Sequence, residues 1–143
     1  MPRLALFNMA FGFFVIFLAA AAGAFLATDI TQAFLRDKQL LSSWTLMLGK
    51  SAHGHANLFG LVHIAFGLTL PYSIWGPRVK VAQTVGLALG TVAMGIVMLI
   101  RAYVGPTGGI DLTEAVLGIF LSCALAALFT HAAGLAGKLL RRG

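Results

Sequence analysis

The stretch Leu4–Ala27, "LALFNMAFGFFVIFLAAAAGAFLA", decides the fold because it contains no charged residue. An α-helix needs ~20 consecutive apolar residues to cross the ~30 Å hydrocarbon core of a bilayer. Apolar runs of comparable length follow at about residues 52–75, 81–104 and about 112–135. The whole chain is 59% hydrophobic and 10% charged, whereas ~25% of the residues of a soluble domain are charged. We therefore expect an all-α integral membrane protein, with residues 1–143 forming one four-helix antiparallel bundle.

The charged residues divide unevenly between the two ends of these predicted helices. One end carries six basic residues: Arg3, Arg78, Lys80, Lys138, Arg141 and Arg142. The other end carries four basic residues and all four acids: Arg36, Lys38, Lys50, Arg101, Asp29, Asp37, Asp111 and Glu114. Because cytoplasmic loops carry the excess of Lys and Arg, we expect both termini in the cytoplasm and a multi-pass protein of the cell inner (plasma) membrane. The net charge of +6 then meets anionic lipid headgroups, and no nucleic-acid partner is expected.

The longest connection and the small residues predict how the helices pack. The segment Thr28–Ser51 is predicted to lie outside the membrane and to contain an amphipathic surface helix, with Trp44 as an interface anchor. Small residues such as Gly86, Gly90 and Gly95 let helix backbones approach closely in lipid. We expect them to form helix interfaces within the chain and with further subunits.

The second predicted helix carries three of the four histidines, in the stretch Lys50–Gly67, "KSAHGHANLFGLVHIAFG". Ionisable residues inside a membrane are costly and usually functional. His53 and His55 are two positions apart, so their rings point in nearly opposite directions on a helix and cannot hold one ion together. Either each ring serves a different site, or both are polar tips at the lipid interface. His63 is expected to form interhelical hydrogen bonds, and His131 to lie at the cytoplasmic interface.

Other side chains at the depth of the histidine pair have two possible roles. Arg101 is either a boundary residue that reaches towards water or a clamp for a ligand carboxylate. Met98 is either packing or a soft axial or copper ligand. Asn57, one turn after His53, is expected to donate hydrogen bonds to the ligand set. The predicted site therefore contains His53, His55, Asn57, Met98 and Arg101.

The motif "AHGHANLFGLV", with Gly67 and Pro71 after it, resembles the second helix of haem-copper oxidase subunit I and its small four-helix relatives. In that superfamily, the histidine of an A-H-G sequence ligates the low-spin haem, and a His-x-His pair ligates two different haems. The resemblance covers the second helix and implies that His53 and His55 are haem ligands. It also implies haem b as the cofactor.

The same superfamily resembles three successive four-helix units around a pseudo-threefold axis, which implies a homotrimer here. Each haem b would lie between His55 of one subunit and His53 of the next. Such a haem has no open coordination position, so the resemblance implies electron transfer with a quinone or another respiratory-chain partner. Catalysis by the isolated chain is not expected, because no paired histidines for a copper centre are present.

Two alternatives remain open from the sequence. The first is a copper-handling protein that uses His53, His55, Met94 and Met98 near the outer face, since imidazole and thioether ligands suit Cu(I). The opposed histidine rings argue against this alternative. The second is a cofactor-free accessory subunit of a respiratory complex, held by its Gly and Ala faces. A visible spectrum and a metal analysis together distinguish these alternatives from a haem protein.

Overall fold

The computed structural model describes residues 3–106, 109 and 111–141, and this part of the chain is helical without any strand. Its four long helices are α1 (Arg3–Arg36), α2 (Trp44–Thr69), α3 (Pro77–Val104) and α4 (Leu112–Leu140). Short 3-10 turns at Lys38–Ser42 and Leu70–Tyr72 flank α2. Within α3, the segment Ala93–Val97 is a π-turn. The all-α prediction is confirmed for the described residues.

The helices extend beyond the apolar runs that predicted them. The first continues past Ala27 to Arg36. The second begins at Trp44, because the Ser43 side chain accepts a hydrogen bond from a backbone N–H of the first turn, and it ends at Thr69 rather than at residue 75. The prediction of a separate surface helix within Thr28–Ser51 is therefore wrong. That segment consists of the end of α1, a 3-10 turn and the start of α2.

Three of the helices, α1, α3 and α4, are long and apolar enough to cross a membrane. The expected fourth span, α2, is not among them, because its three histidines and Asn57 make it more polar. In the most apolar window of each helix, 56% of α3 is buried inside the protein but only 17% of α1 and 11% of α4. The apolar side chains of α1 and α4 are thus largely free to face lipid.

Glycines bring the helices together in pairs. A Cβ at Gly12 of α1 would lie 2.5 Å from the Gly60 carbonyl oxygen of α2, and a Cβ at Gly67 would lie 2.7 Å from the Ala5 carbonyl oxygen. These contacts make α1 and α2 antiparallel. On α3, a Cβ at Gly86 would lie 2.8 Å from the Cys123 carbonyl oxygen of α4. Close approach at the small residues was predicted, and it is confirmed at Gly86.

Two tryptophans tie the helix ends to their neighbours. At one end of the molecule, Trp44 Nε1 donates to the Arg101 carbonyl at 3.1 Å. We call this end the Arg101 end. At the opposite end, the Trp75 end, Trp75 Nε1 donates to the Thr130 carbonyl at 2.7 Å. The first and the last described residues of the chain both lie at the Trp75 end, where Ala5 contacts α2. Arg142 lies outside the described residues.

An apolar core fills the space between α2, α3 and α4. Its buried members are Phe59, Phe66, Leu70, Leu87, Met94 and Ala124. Several partly buried hydrophobic side chains, among them Met98, pack against this cluster. The core therefore covers one side of α2, and α1 covers another.

Candidate functional site

His53 connects α2 to α1 through its ring. Its Nδ1 lies 3.0 Å from the Ala19 carbonyl oxygen, and since a carbonyl can only accept, the ring hydrogen is on Nδ1 and the lone pair is on Nε2. The ring fits because residue 23 is glycine: a Cβ at Gly23 would lie 2.6 Å from His53 Cε1. Asn57 donates to the His53 carbonyl at 3.1 Å, and its Nδ2 is 3.4 Å from His53 Nε2.

His55 makes its hydrogen bonds within α2. Its Nδ1 lies 2.8 Å from the Ser51 carbonyl oxygen and 3.2 Å from the Ser51 hydroxyl. The ring hydrogen is therefore on Nδ1, and the lone pair of Nε2 has no hydrogen-bond partner among the described residues. The ring is half-buried. The two histidines share no partner, in agreement with the predicted divergence of their rings.

A groove of about 630 Å³ runs between α1 and α3, with α2 as its floor, and His53 lines it. Its walls are predominantly apolar. Thr91 is a polar residue of α3 in the lining, while Asp29, Thr45 and Tyr103 line the groove towards the Arg101 end. The size falls within the ~300–1,000 Å³ of small-molecule and cofactor sites. The groove can accept a large apolar ligand beside the His53 ring.

Arg101 is held by groups of its own chain. Its buried guanidinium forms ion pairs with Asp111 and Glu114 at the start of α4. The guanidinium carbon lies 5.5 Å from the centre of the Trp44 ring, a cation–π distance. To clamp a ligand carboxylate, as predicted, Arg101 would exchange one of these two carboxylates for it.

The methionines lie apart from His53. Met94 is buried in the apolar core, and Met98 packs against that core, whereas the His53 ring contacts α1. Within residues 3–106, 109 and 111–141, no group of three or more His, Cys, Asp or Glu side chains is arranged to hold a metal ion. The structure thus brings together His53 and Asn57 from the predicted site, and it places His55, Met98 and Arg101 in separate environments.

A second polar cluster surrounds His63, whose predicted interhelical hydrogen bonds are confirmed. The fully buried ring lies 3.0 Å from Asn8 Oδ1 on α1 and 3.1 Å from Thr91 Oγ1 on α3. Asn8 in turn donates to Thr84 Oγ1 at 3.0 Å. Sequence reasoning missed Asn8, Thr84 and Thr91. The available signal was Asn8, the one amide side chain in the first apolar run.

His131 is buried inside the protein, and its position at the cytoplasmic interface stays a prediction. Its Nε2 is 2.9 Å from the Thr69 hydroxyl, and its ring centre is 4.4 Å from that of Phe66. The residue is 6% exposed, and these two side chains of α2 contact its ring. Its Nδ1 and the Oε1 of Gln83 are buried without a hydrogen-bond partner among the described residues.

Comparison with known proteins gives no match: no family model, curated protein or solved structure is similar to this chain.

Proposed function

We propose that this protein is a haem b protein of the cell inner membrane that transfers electrons. In this proposal the four helices form an antiparallel transmembrane bundle with both termini in the cytoplasm. His53 and His55 would hold the haem iron, each through Nε2, and each haem would be shared between two subunits of a homotrimer.

The observation that carries the proposal is the state of the two imidazoles. Histidines that ligate a metal almost always donate their other ring N–H to a carbonyl or carboxylate, which fixes the tautomer and aims the lone pair. His53 and His55 both place Nδ1 against a backbone carbonyl, at 3.0 Å and 2.8 Å. Each ring therefore has its Nε2 lone pair available for an iron atom. On binding, the His53 nitrogen gives up only the long contact to Asn57.

The surroundings of His53 fit a large, flat, apolar group. The groove beside the ring is lined by α1, α2 and α3, and its predominantly apolar walls exclude water from a bound macrocycle. Gly23 leaves the space that the ring itself occupies against α1. The protein would thus contribute one oriented ligand and an apolar wall.

The separation of the ligands favours haem over a bare metal ion. A copper or zinc site needs several protein ligands in one place, and the described residues offer no such group of His, Cys, Asp or Glu. A porphyrin supplies four nitrogens of its own, so the protein need add only axial ligands. When bound, haem b would supply one-electron chemistry, and ligation by two histidines would leave the iron no open position for a substrate.

The directions of the two rings support shared ligation. His53 contacts α1, while His55 is two positions further along α2 and turned ~200° away. One chain therefore cannot place both rings on one iron while α2 remains helical. A cyclic assembly repeats the same contact at every interface, so His55 of each subunit can meet His53 of the next. A quinone or another respiratory-chain protein is the expected redox partner.

The test is a reduced-minus-oxidised visible spectrum of the purified full chain and of three variants. We expect Soret and α bands in the native protein, their loss in both His53→Ala and His55→Ala, and their retention in His131→Ala, a matched histidine outside the proposed site. A native protein without these bands, or bands that survive both ligand variants, would refute the proposal.

Co-expression of the two ligand variants tests the sharing of haem between subunits. A His53→Ala chain retains His55, and a His55→Ala chain retains His53, so a mixed trimer contains some interfaces with both ligands. We expect part of the haem absorbance to return in the mixture. If each haem were bound within one chain, the mixture would remain as colourless as the single variants.

A further inference from the structure

The hydroxyl of Thr91 faces two acceptors in the middle of the protein but has one hydrogen to give. Thr91 Oγ1 lies 3.1 Å from His63 Nε2 and 3.1 Å from the Leu87 carbonyl oxygen. Because a hydroxyl donates a single hydrogen, it bonds either the imidazole or the carbonyl at any moment. The choice depends on whether Nε2 carries a hydrogen.

The hydrogen-bond role of the other ring nitrogen of His63, Nδ1, is fixed by Asn8. Asn8 Nδ2 is 2.9 Å from the Leu4 carbonyl oxygen, so the NH2 group of Asn8 must face that carbonyl. Asn8 Oδ1 must then face the His63 ring. Asn8 Oδ1 only accepts, and at 3.0 Å it requires a hydrogen on His63 Nδ1. His63 is consequently either neutral with its hydrogen on Nδ1, or a cation with hydrogens on both nitrogens.

Both states are fully hydrogen-bonded, and they differ by one hydroxyl rotation. In the neutral ring, Thr91 donates to Nε2. In the cation, Nε2–H donates to Thr91 Oγ1, and the Thr91 hydrogen turns to the Leu87 carbonyl. A buried group that keeps all its partners on gaining a proton avoids the penalty of an unsatisfied donor.

We propose that His63 is a reversible proton-binding site that opens onto the groove through Thr91. Thr91 lines the groove and also contacts His63, so it joins the groove to the buried ring. The proton comes from a hydronium ion in the groove: one of its O–H bonds breaks and leaves a water molecule, one N–H bond forms at Nε2, and the hydrogen bond given by Thr91 moves from Nε2 to the Leu87 carbonyl. By linkage, a negative charge in the groove favours the protonated ring.

The neighbours of His63 on the packed helices are uncharged. From α1 it meets Asn8 and the ring of Phe11, whose centre is 4.7 Å away, and from α3 it meets Thr91. Among the described residues no carboxylate or basic side chain forms a hydrogen bond or ion pair with the ring. In this proposal the hydrogen bonds to Asn8 and Thr91, rather than a charged side chain, stabilise the protonated ring.

The test uses nitrogen NMR of the histidine-labelled full chain in lipid nanodiscs, without any added haem, so that its outcome is independent of the proposed function. The His63 signals are assigned by elimination with the single variants His53→Gln, His55→Gln and His131→Gln. On acidification we expect His63 to change from one protonated nitrogen to two while the far-ultraviolet circular dichroism stays constant.

Two variants of Thr91 and one control variant test whether the Thr91 hydroxyl is needed to protonate His63. Thr91→Val keeps the shape but removes both the donor to the neutral Nε2 and the acceptor for the charged Nε2–H. A charged donor left without a partner costs more, so the cation population at a given acidic pH should fall about tenfold. Thr91→Ser restores a hydroxyl and should behave as the native chain. Thr69→Val, which alters the contact with His131, is the matched control and should leave His63 unchanged. A His63 that stays neutral until the helices melt, or that charges equally in Thr91→Val, overturns the proposal.

Discussion

Replacing Gly23 by alanine tests whether α1 holds the His53 ring in place. A Cβ at position 23 would lie 2.6 Å from His53 Cε1 and 3.2 Å from both ring nitrogens. Cβ contacts shorter than 3.0 Å essentially do not occur in proteins, so the ring must move away from α1. The bond from Nδ1 to the Ala19 carbonyl, 3.0 Å long, is then lost or weakened.

Gly54→Ala provides the reference, because a Cβ at Gly54 would meet nothing within 4 Å. Both changes replace a helical glycine, which stabilises a helix by ~0.8–1.0 kcal/mol. In Gly23→Ala this gain is opposed by overpacking of ~1–3 kcal/mol and by a lost hydrogen bond of ~0.5–1.5 kcal/mol. We therefore expect Gly23→Ala to be less stable than Gly54→Ala by about 1.5–4.5 kcal/mol.

The assay is denaturant unfolding of both variants in the same detergent, followed by far-ultraviolet circular dichroism. If haem binds as proposed, the haem content of Gly23→Ala should also fall while that of Gly54→Ala is unchanged, although both variants retain His53 and His55. Equal free energies of unfolding for the two variants would refute the role given to the contact between His53 and α1.

Two further predictions concern the framework around the site. Arg101→Gln should lower the free energy of unfolding by ~3 kcal/mol, since it leaves two carboxylates without their buried cation; Glu114→Gln should cost under ~1 kcal/mol, because the Glu114 side chain is 40% exposed. Chemical unfolding of both variants checks the order, and a larger loss for Glu114→Gln would contradict it. Gly86→Ala should destabilise by ~1–3 kcal/mol because its Cβ would meet the Cys123 carbonyl. Gly118→Ala, whose Cβ meets nothing within 4 Å, should not destabilise, and equal melting temperatures would contradict this packing.

The helical class could be predicted from hydropathy, but the helix ends could not. Apolar runs mark the part of a helix that suits lipid, whereas a helix ends where its backbone hydrogen bonds end. The start of α2 depends on the Ser43 side chain, which caps it in a segment with no hydropathy signal. α1 similarly continues through residues 28–36, which the apolar pattern placed in the connection outside the membrane.

The candidate site could be predicted in part. The opposed directions of His53 and His55 follow from helix geometry alone. Their hydrogen-bond acceptors are the carbonyls of Ala19 and Ser51, and a backbone carbonyl has no sequence signature. For Arg101, the sequence did place Asp111 and Glu114 at the same helix ends. Which of the charges there form ion pairs depends on the packing of the helices, which the sequence does not reveal.

The distribution of hydrogen bonds over α2 bears on the proposed sharing of haem between subunits. α2 is the most polar of the long helices, and a polar group surrounded by lipid or apolar side chains requires a partner. Neighbouring helices supply those partners for His53, from α1, and for His63, from α1 and α3. His55 differs from them: both of its hydrogen bonds return to Ser51, and its Nε2 has no partner in the described part of the chain. Among the described residues, His55 is thus the α2 histidine whose ring keeps a nitrogen without a hydrogen-bond partner, and this nitrogen is the one that the proposed function assigns to haem.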